Sequence, residues 1–157
     1  MYDIDRLLAL VNGRNGLCSI YEETMESLIS CDEEQLILGV DKLVELSNAI
    51  EDINSCINTL AEADSENGDN IRCAVYNRGS RAGLNEALQI VYDTAQEGFG
   101  CLNRARNASS IVSERLANYK DELDKKIRSL SIQPKIISYL NRGVSTEPAS
   151  GNIDNSV

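Results

Sequence analysis

Residues 84–130 have the sequence "LNEALQIVYDTAQEGFGCLNRARNASSIVSERLANYKDELDKKIRSL" and carry the longest regular pattern in the chain. Eleven residues of this segment fit a seven-residue repeat and form an apolar stripe along one side of a helix: Leu84, Leu88, Val91, Ala95, Leu102, Ala105, Val112, Leu116, Tyr119, Leu123 and Leu130. Gly98, Phe99 and Ser109 occupy the remaining positions of the stripe. Near the end the stripe shifts to Ile127, as expected when a straight helix departs from a strict heptad. No proline interrupts residues 81–133. The pattern predicts a helix over about residues 82–132. At ~1.5 Å per residue it would be roughly 70 Å long and would need partners along most of its length.

Two shorter helices are predicted before it. Apolar residues from Ile4 to Ile29 follow helical spacing, which indicates a first helix at about residues 3–30. Asp32 interrupts the apolar run and is followed three residues later by Gln35, with two glutamates between them. This pattern is typical of an N-cap with its capping-box partner, with negative charge where the helix dipole favours it. We therefore expect a second helix at about residues 33–61.

The remaining segments carry less regular signals. Residues 62–81 are rich in Gly, Asn, Asp and Ser and predict a loop or mobile connection, although "IRCAVY" within them fits either a short strand or a helical turn. Pro134 ends the long helix, a short turn is expected at 135–141, and the small polar residues 143–157 predict a disordered tail. The expected fold is all-α: an elongated antiparallel helical bundle or coiled coil, with residues 1–142 as one helical domain.

The composition narrows the classes of function. The chain has no His and five Cys, without a C-x-x-C pair, which removes His-dependent catalytic schemes and most zinc sites. We expect no enzyme, no metal and no cofactor; an enzymatic alternative remains only as a carboxylate- or cysteine-based activity without a motif. No apolar run approaches the ~20 residues of a membrane span. Residues 1–16 are mixed in charge and unlike a signal segment. The sequence therefore predicts a cytoplasmic protein without membrane insertion.

Charge is unevenly distributed along the chain. Residues 20–66 hold thirteen acidic residues and one basic residue, Lys42, whereas residues 104–142 hold nine basic and four acidic residues. This layout suits helices of opposite charge packed against each other. An acidic surface repels the phosphates of a nucleic acid, and any basic surface of this chain would have a strongly acidic neighbour. The pattern therefore does not favour a nucleic-acid partner.

Tyr139 follows Pro134 in a short apolar segment before the polar end of the chain. Two interpretations stay open for it: an aromatic anchor for a partner protein, or a side chain that folds back onto the bundle.

Three features together resemble the FlgN-like family of flagellar export chaperones. They are the segment "YEETMESLISCDEEQLILGVDKLVEL" at residues 21–46, the uninterrupted helix at 81–133, and the Tyr-x-x-x-Gly turn of "SYLNRG" followed by the polar end "SGNIDNSV". The resemblance covers nearly the whole chain.

The resemblance implies a cytosolic chaperone that binds the C-terminal helices of hook-filament junction proteins and delivers these hook-associated proteins to the export gate. It places client binding at one end of the long helix, with Tyr139 as the contact with the export gate. The implied client-binding residues are Leu116, Tyr119, Leu123, Ile127 and Leu130. The alternative is a helical scaffold or adaptor that associates with itself, a possible homo-oligomer without a secretion client.

Overall fold

The computed structural model of the chain describes residues 2–130. Within them lie four α-helices and no strand: α1 (Ile4–Ser27), α2 (Glu33–Ala63), α3 (Gly68–Tyr76) and α4 (Glu86–Leu130), with a short 3₁₀ turn at Arg81–Gly83. The all-α helical bundle expected from the sequence is confirmed. The turn predicted at 135–141, the tail at 143–157 and Tyr139 lie outside the described residues. The described part of the chain divides into two compact units within α4, the first ending at Arg115 and the second beginning at Leu116.

Short polar side chains start three of the helices. Asp3 directly precedes the first residue of α1, Ile4, and its carboxylate accepts a hydrogen bond from the backbone N–H of Arg6. Asp32 accepts from the backbone N–H of Gln35 at 2.8 Å, which confirms the helix start predicted there. The backbone N–H of Leu88 donates to the Asn85 side chain at the start of α4. Each cap satisfies one of the N–H groups that a helix start leaves without a partner.

The helix α3 corrects the loop expected at residues 62–81. Its residues Ile71, Ala74 and Val75 are fully buried. It ends at Tyr76, and the capping residue Asn77 adopts a left-handed conformation (φ 49°). The segment "IRCAVY" is therefore helical, not a strand. With nine residues, α3 has only about two and a half turns. That is too few for a helical period to stand out among the flanking Gly, Asn and Asp residues.

One hydrophobic core joins all four helices within residues 1–115. The short connection between α1 and α2 makes these two helices antiparallel. In contrast, α1 and α4 run parallel, because Tyr2 contacts Asn85 near the start of both helices and Glu22 contacts Arg104 further along both. The buried core residues are Leu7, Val11, Ile57, Ala61, Ile71, Ala74, Val75, Leu84, Leu88, Val91 and Ala95. Burying each of the large side chains contributes about 1.5–3 kcal/mol.

The uneven charge of the sequence appears as an ion pair between helices. The Arg104 guanidinium of α4 donates two hydrogen bonds to the Glu22 carboxylate of α1, at 2.5 and 3.1 Å. Within the described part of the chain, no helix has a stretch long and apolar enough to span a membrane.

Candidate protein-binding surface

The burial of the α4 stripe changes along the helix. Leu88, Val91, Ala95, Ala105 and Val112 are all buried. After Val112, no residue from 113 to 130 is buried. The sequence pattern continues through this point without a break, so the change is in what covers the stripe and not in its composition.

Five apolar residues continue the stripe, and together we call them the α4 terminal face: Leu116, Tyr119, Leu123, Ile127 and Leu130. They follow one another at steps of three or four residues, which places all five side chains on one side of the helix. Leu116 and Tyr119 are half-buried. The three that follow expose 40, 50 and 52 % of their surface. The structure thus brings together all five residues proposed for client binding, on a face with no buried member.

Charged side chains surround the α4 terminal face. Residues 116–130 include four basic residues, among them Lys120 and Lys126, and three acidic residues, and every charged residue among them is exposed. An apolar strip between exposed charges of both signs is the usual form of a helix that pairs with another helix.

A specific contact fixes α4 just before this face begins. The Arg115 guanidinium donates to the backbone carbonyl of Leu28 at 2.5 Å and to that of Cys31. These carbonyls belong to the connection between α1 and α2, where a helix end leaves carbonyl groups without partners inside the helix. Arg115 therefore holds α4 to that connection and is the last residue of the first compact unit.

A second site, not predicted from the sequence, lies around Arg14 in the middle of α1. Arg14 is only 3 % exposed. Its guanidinium donates to the Asn54 side-chain oxygen at 3.0 Å and to the Val75 carbonyl at 2.7 Å. It also lies over the rings of Tyr76 and Phe99, at 5.5 and 5.1 Å from their centroids. One arginine thus contacts all three of the other helices.

A cavity of about 220 Å³, which we call the Arg14 pocket, adjoins this guanidinium. It is lined by Arg14, Cys18, Ile50, Glu51, Asn54, Tyr76, Gly98, Phe99 and Leu102. A signal for it was present in the sequence: Leu7, Val11, Arg14 and Cys18 follow one another at helical spacing, so a charged residue occupies a core position of α1.

Burial shapes the electrostatics of this pocket. Desolvation lowers the pKa of Arg14, and the neighbouring Cys18 and Tyr76 oppose that shift. Desolvation likewise raises the pKa of the Cys18 thiol and of the Tyr76 phenol, against the nearby Arg14 charge. All three shifts have the same main cause, which is removal of the charged form from water.

Residues 2–130 hold no group of three or more His, Cys, Asp or Glu side chains that could bind a metal ion. Comparisons with protein-family models, with curated proteins and with solved structures gave no match to this chain.

Proposed function

We propose that this protein is a non-enzymatic helical chaperone that binds an amphipathic helix of a client protein on the α4 terminal face. The observation that carries the proposal is the exposure of Leu123, Ile127 and Leu130 on a stripe whose earlier part forms the core. Exposed apolar residues grouped on one face commonly mark a protein interaction site. An amphipathic helix recognises such a strip through apolar residues at the same three- and four-residue steps.

The resemblance to FlgN-like chaperones supplies the identity of the client in this proposal. The clients are hook-filament junction proteins, bound through their C-terminal helices in the cytoplasm and passed to the export gate. The α4 terminal face extends over fifteen residues, roughly 22 Å of helix, which matches about four turns of a bound client helix. Tyr139 serves as the contact with the gate and is not needed for client binding.

A double substitution tests the binding face directly. We expect Ile127→Asp with Leu130→Asp to weaken binding of a fluorescent peptide, made as the C-terminal helix of a hook-filament junction protein, by more than about tenfold. Each lost apolar contact is worth about 1.5–3 kcal/mol when fully buried, and 1.4 kcal/mol is tenfold in affinity. Fluorescence anisotropy gives the dissociation constants.

Ile90→Asp is the matched control, because Ile90 is also on α4 and is 53 % exposed but lies outside the face. The control should bind the peptide as the unmodified protein does. Equal loss in both variants, or no peptide binding by the unmodified protein, would rule out the α4 terminal face as the client site.

The proposed role of Tyr139 needs a separate measurement. We expect Tyr139→Ala to keep the helical circular dichroism signal, the melting temperature and client binding, while weakening capture of the export-gate protein. A marked fall in melting temperature would show that Tyr139 packs onto the bundle and is not a contact for the gate.

Self-association is the second candidate, and one observation favours it. On α2, the residues Ile37, Leu38 and Val44 are 43, 62 and 55 % exposed, next to the acidic residues Asp41 and Glu45. The α4 terminal face of a second copy, with four basic and three acidic residues around its apolar side chains, would pack against this acidic apolar surface. Sedimentation analysis separates the two candidates: a dimer that the Ile127→Asp and Leu130→Asp variant converts to monomer supports the scaffold, and a monomeric unmodified protein contradicts it.

A further inference from the structure

The Arg14 pocket has no part in client binding on α4, and its central feature is a buried positive charge. The Arg14 side chain carries five N–H groups, of which the bonds to Asn54 and Val75 use two. The other three form no hydrogen bond within residues 2–130. Buried charged groups are normally paired, because removal of a charge from water is costly unless an opposite charge compensates for it.

No carboxylate in the described part of the chain forms an ion pair with Arg14. Ion pairs in that part of the chain join Arg72 to Glu62 and Asp69, Arg81 to Asp93, and Arg104 to Glu22, and none of them includes Arg14. The rings of Tyr76 and Phe99 and the two oxygen acceptors offset part of the cost of burying the guanidinium. None of these groups carries a negative charge, and Glu51, which also lines the pocket, forms no ion pair with Arg14. The guanidinium therefore retains a preference for an anion.

The pocket offers both space for a ligand and a route to it. Its volume of about 220 Å³ admits several water molecules or a small organic molecule. A larger groove of about 380 Å³ shares Ile50, Glu51 and Leu102 with the pocket, so the two adjoin. A ligand can therefore approach Arg14 along the groove that α1, α2 and α4 line.

The lining determines the class of anion. The planar guanidinium matches the two oxygens of a carboxylate. Tyr76, Phe99 and Leu102 offer apolar surface to an organic body. Glu51 also lines the pocket, and its negative charge disfavours an anion with more than one charge, such as phosphate.

We infer that the Arg14 pocket binds a small organic monocarboxylate, with its carboxylate on the Arg14 guanidinium and its apolar part against Tyr76 and Phe99. This site is separate from the α4 terminal face. The inference does not depend on the proposed chaperone function.

Benzoate is a suitable probe, because it joins one carboxylate to an apolar ring. We expect saturable binding to the full chain by titration calorimetry, with chloride at the same ionic strength producing no heat of binding. Glu51→Gln is the main variant, since Glu51 is exposed and its replacement leaves the core intact. Removing the like charge should tighten benzoate binding about three- to tenfold.

Glu45→Gln is the matched control, because Glu45 is an exposed glutamate of the same helix that does not line the pocket. It should bind benzoate as the unmodified protein does. Arg14→Lys, if its circular dichroism shows an intact fold, should lose the binding, since an ammonium lacks the planar fork. No saturable binding to either the unmodified protein or the Glu51→Gln variant would overturn the inference. An equal gain in both glutamine variants would also overturn it, by showing a general effect of net charge.

Discussion

The two parts of α4 differ in burial although they share one sequence pattern. From Leu88 to Val112 the stripe lies in the core, against α1, α2 and α3, whereas Leu123, Ile127 and Leu130 are exposed. Heptad spacing therefore specifies which side of a helix is apolar but not whether another helix covers that side. The coverage depends on the partners that the chain itself supplies.

The largest difference should appear when one leucine in each part of α4 is replaced by alanine. Leu88→Ala removes a fully buried side chain and should lower the free energy of unfolding by about 2–5 kcal/mol. Leu123→Ala should change it by less than about 0.5 kcal/mol, because Leu123 is already 40 % exposed. Urea denaturation followed by circular dichroism measures both. A loss above 2 kcal/mol for Leu123→Ala would mean that the terminal face is covered in solution.

Two glycines, Gly98 of α4 and Gly16 of α1, differ in the space that surrounds them. A Cβ added to Gly98 would lie 2.3 Å from the Asn15 side-chain oxygen, whereas one added to Gly16 would meet nothing within 4 Å. Asn15 is held in place because its amide donates to the Thr94 carbonyl at 2.7 Å.

We therefore expect a glycine-to-alanine substitution to change protein stability in opposite directions at these two positions. Gly98→Ala should destabilise the protein by about 1–3 kcal/mol through overpacking. Gly16→Ala should stabilise it by about 0.5–1 kcal/mol, because alanine is the better helix former. Thermal unfolding of both variants provides the check, and stabilisation by Gly98→Ala would contradict the close approach of α1 and α4.

The smallest effect concerns the ion pair that joins α1 to the buried part of α4. Hydrogen bonds from Arg104 hold the pKa of Glu22 below its ordinary value. A carboxylate whose pKa is lower in the folded state adds stability above its unfolded pKa and loses it as the pH falls through the folded pKa. Stability should therefore decline from the ordinary glutamate pKa downward, and Glu22→Gln should make that decline shallower. Urea midpoints measured between neutral and acidic pH test this, and parallel curves for the two proteins would contradict it.

The elements predicted well from the sequence are those set by local rules. Asp32 starts α2 because a carboxylate satisfies a free N–H three residues later, and this depends on adjacent residues alone. The long helix α4 could be predicted because its period repeats many times. The common face of Leu116, Tyr119, Leu123, Ile127 and Leu130 follows from the same period.

What escaped prediction depends on contacts between distant residues. The helix α3 is too short to show its period and is stabilised by burial of Ile71, Ala74 and Val75 in the core. The Arg14 pocket needs Asn54, Tyr76 and Phe99 from three other helices, and nothing in the residues next to Arg14 indicates them. Tertiary contacts, not local propensity, determine both features.

The contact of Arg115 with the connection between α1 and α2 has a consequence for the order of folding during synthesis. Arg115 lies 87 residues after Leu28, whose carbonyl it binds. A ribosome adds residues at about 5–20 per second, so the pair α1 and α2 is synthesised seconds before Arg115 exists. Until then the carbonyls of Leu28 and Cys31 lack the hydrogen bonds that the Arg115 guanidinium donates. This contact forms only when most of α4 has been made, so amide hydrogens of the connection between α1 and α2 should exchange faster in a nascent chain halted before residue 115 than in the complete protein.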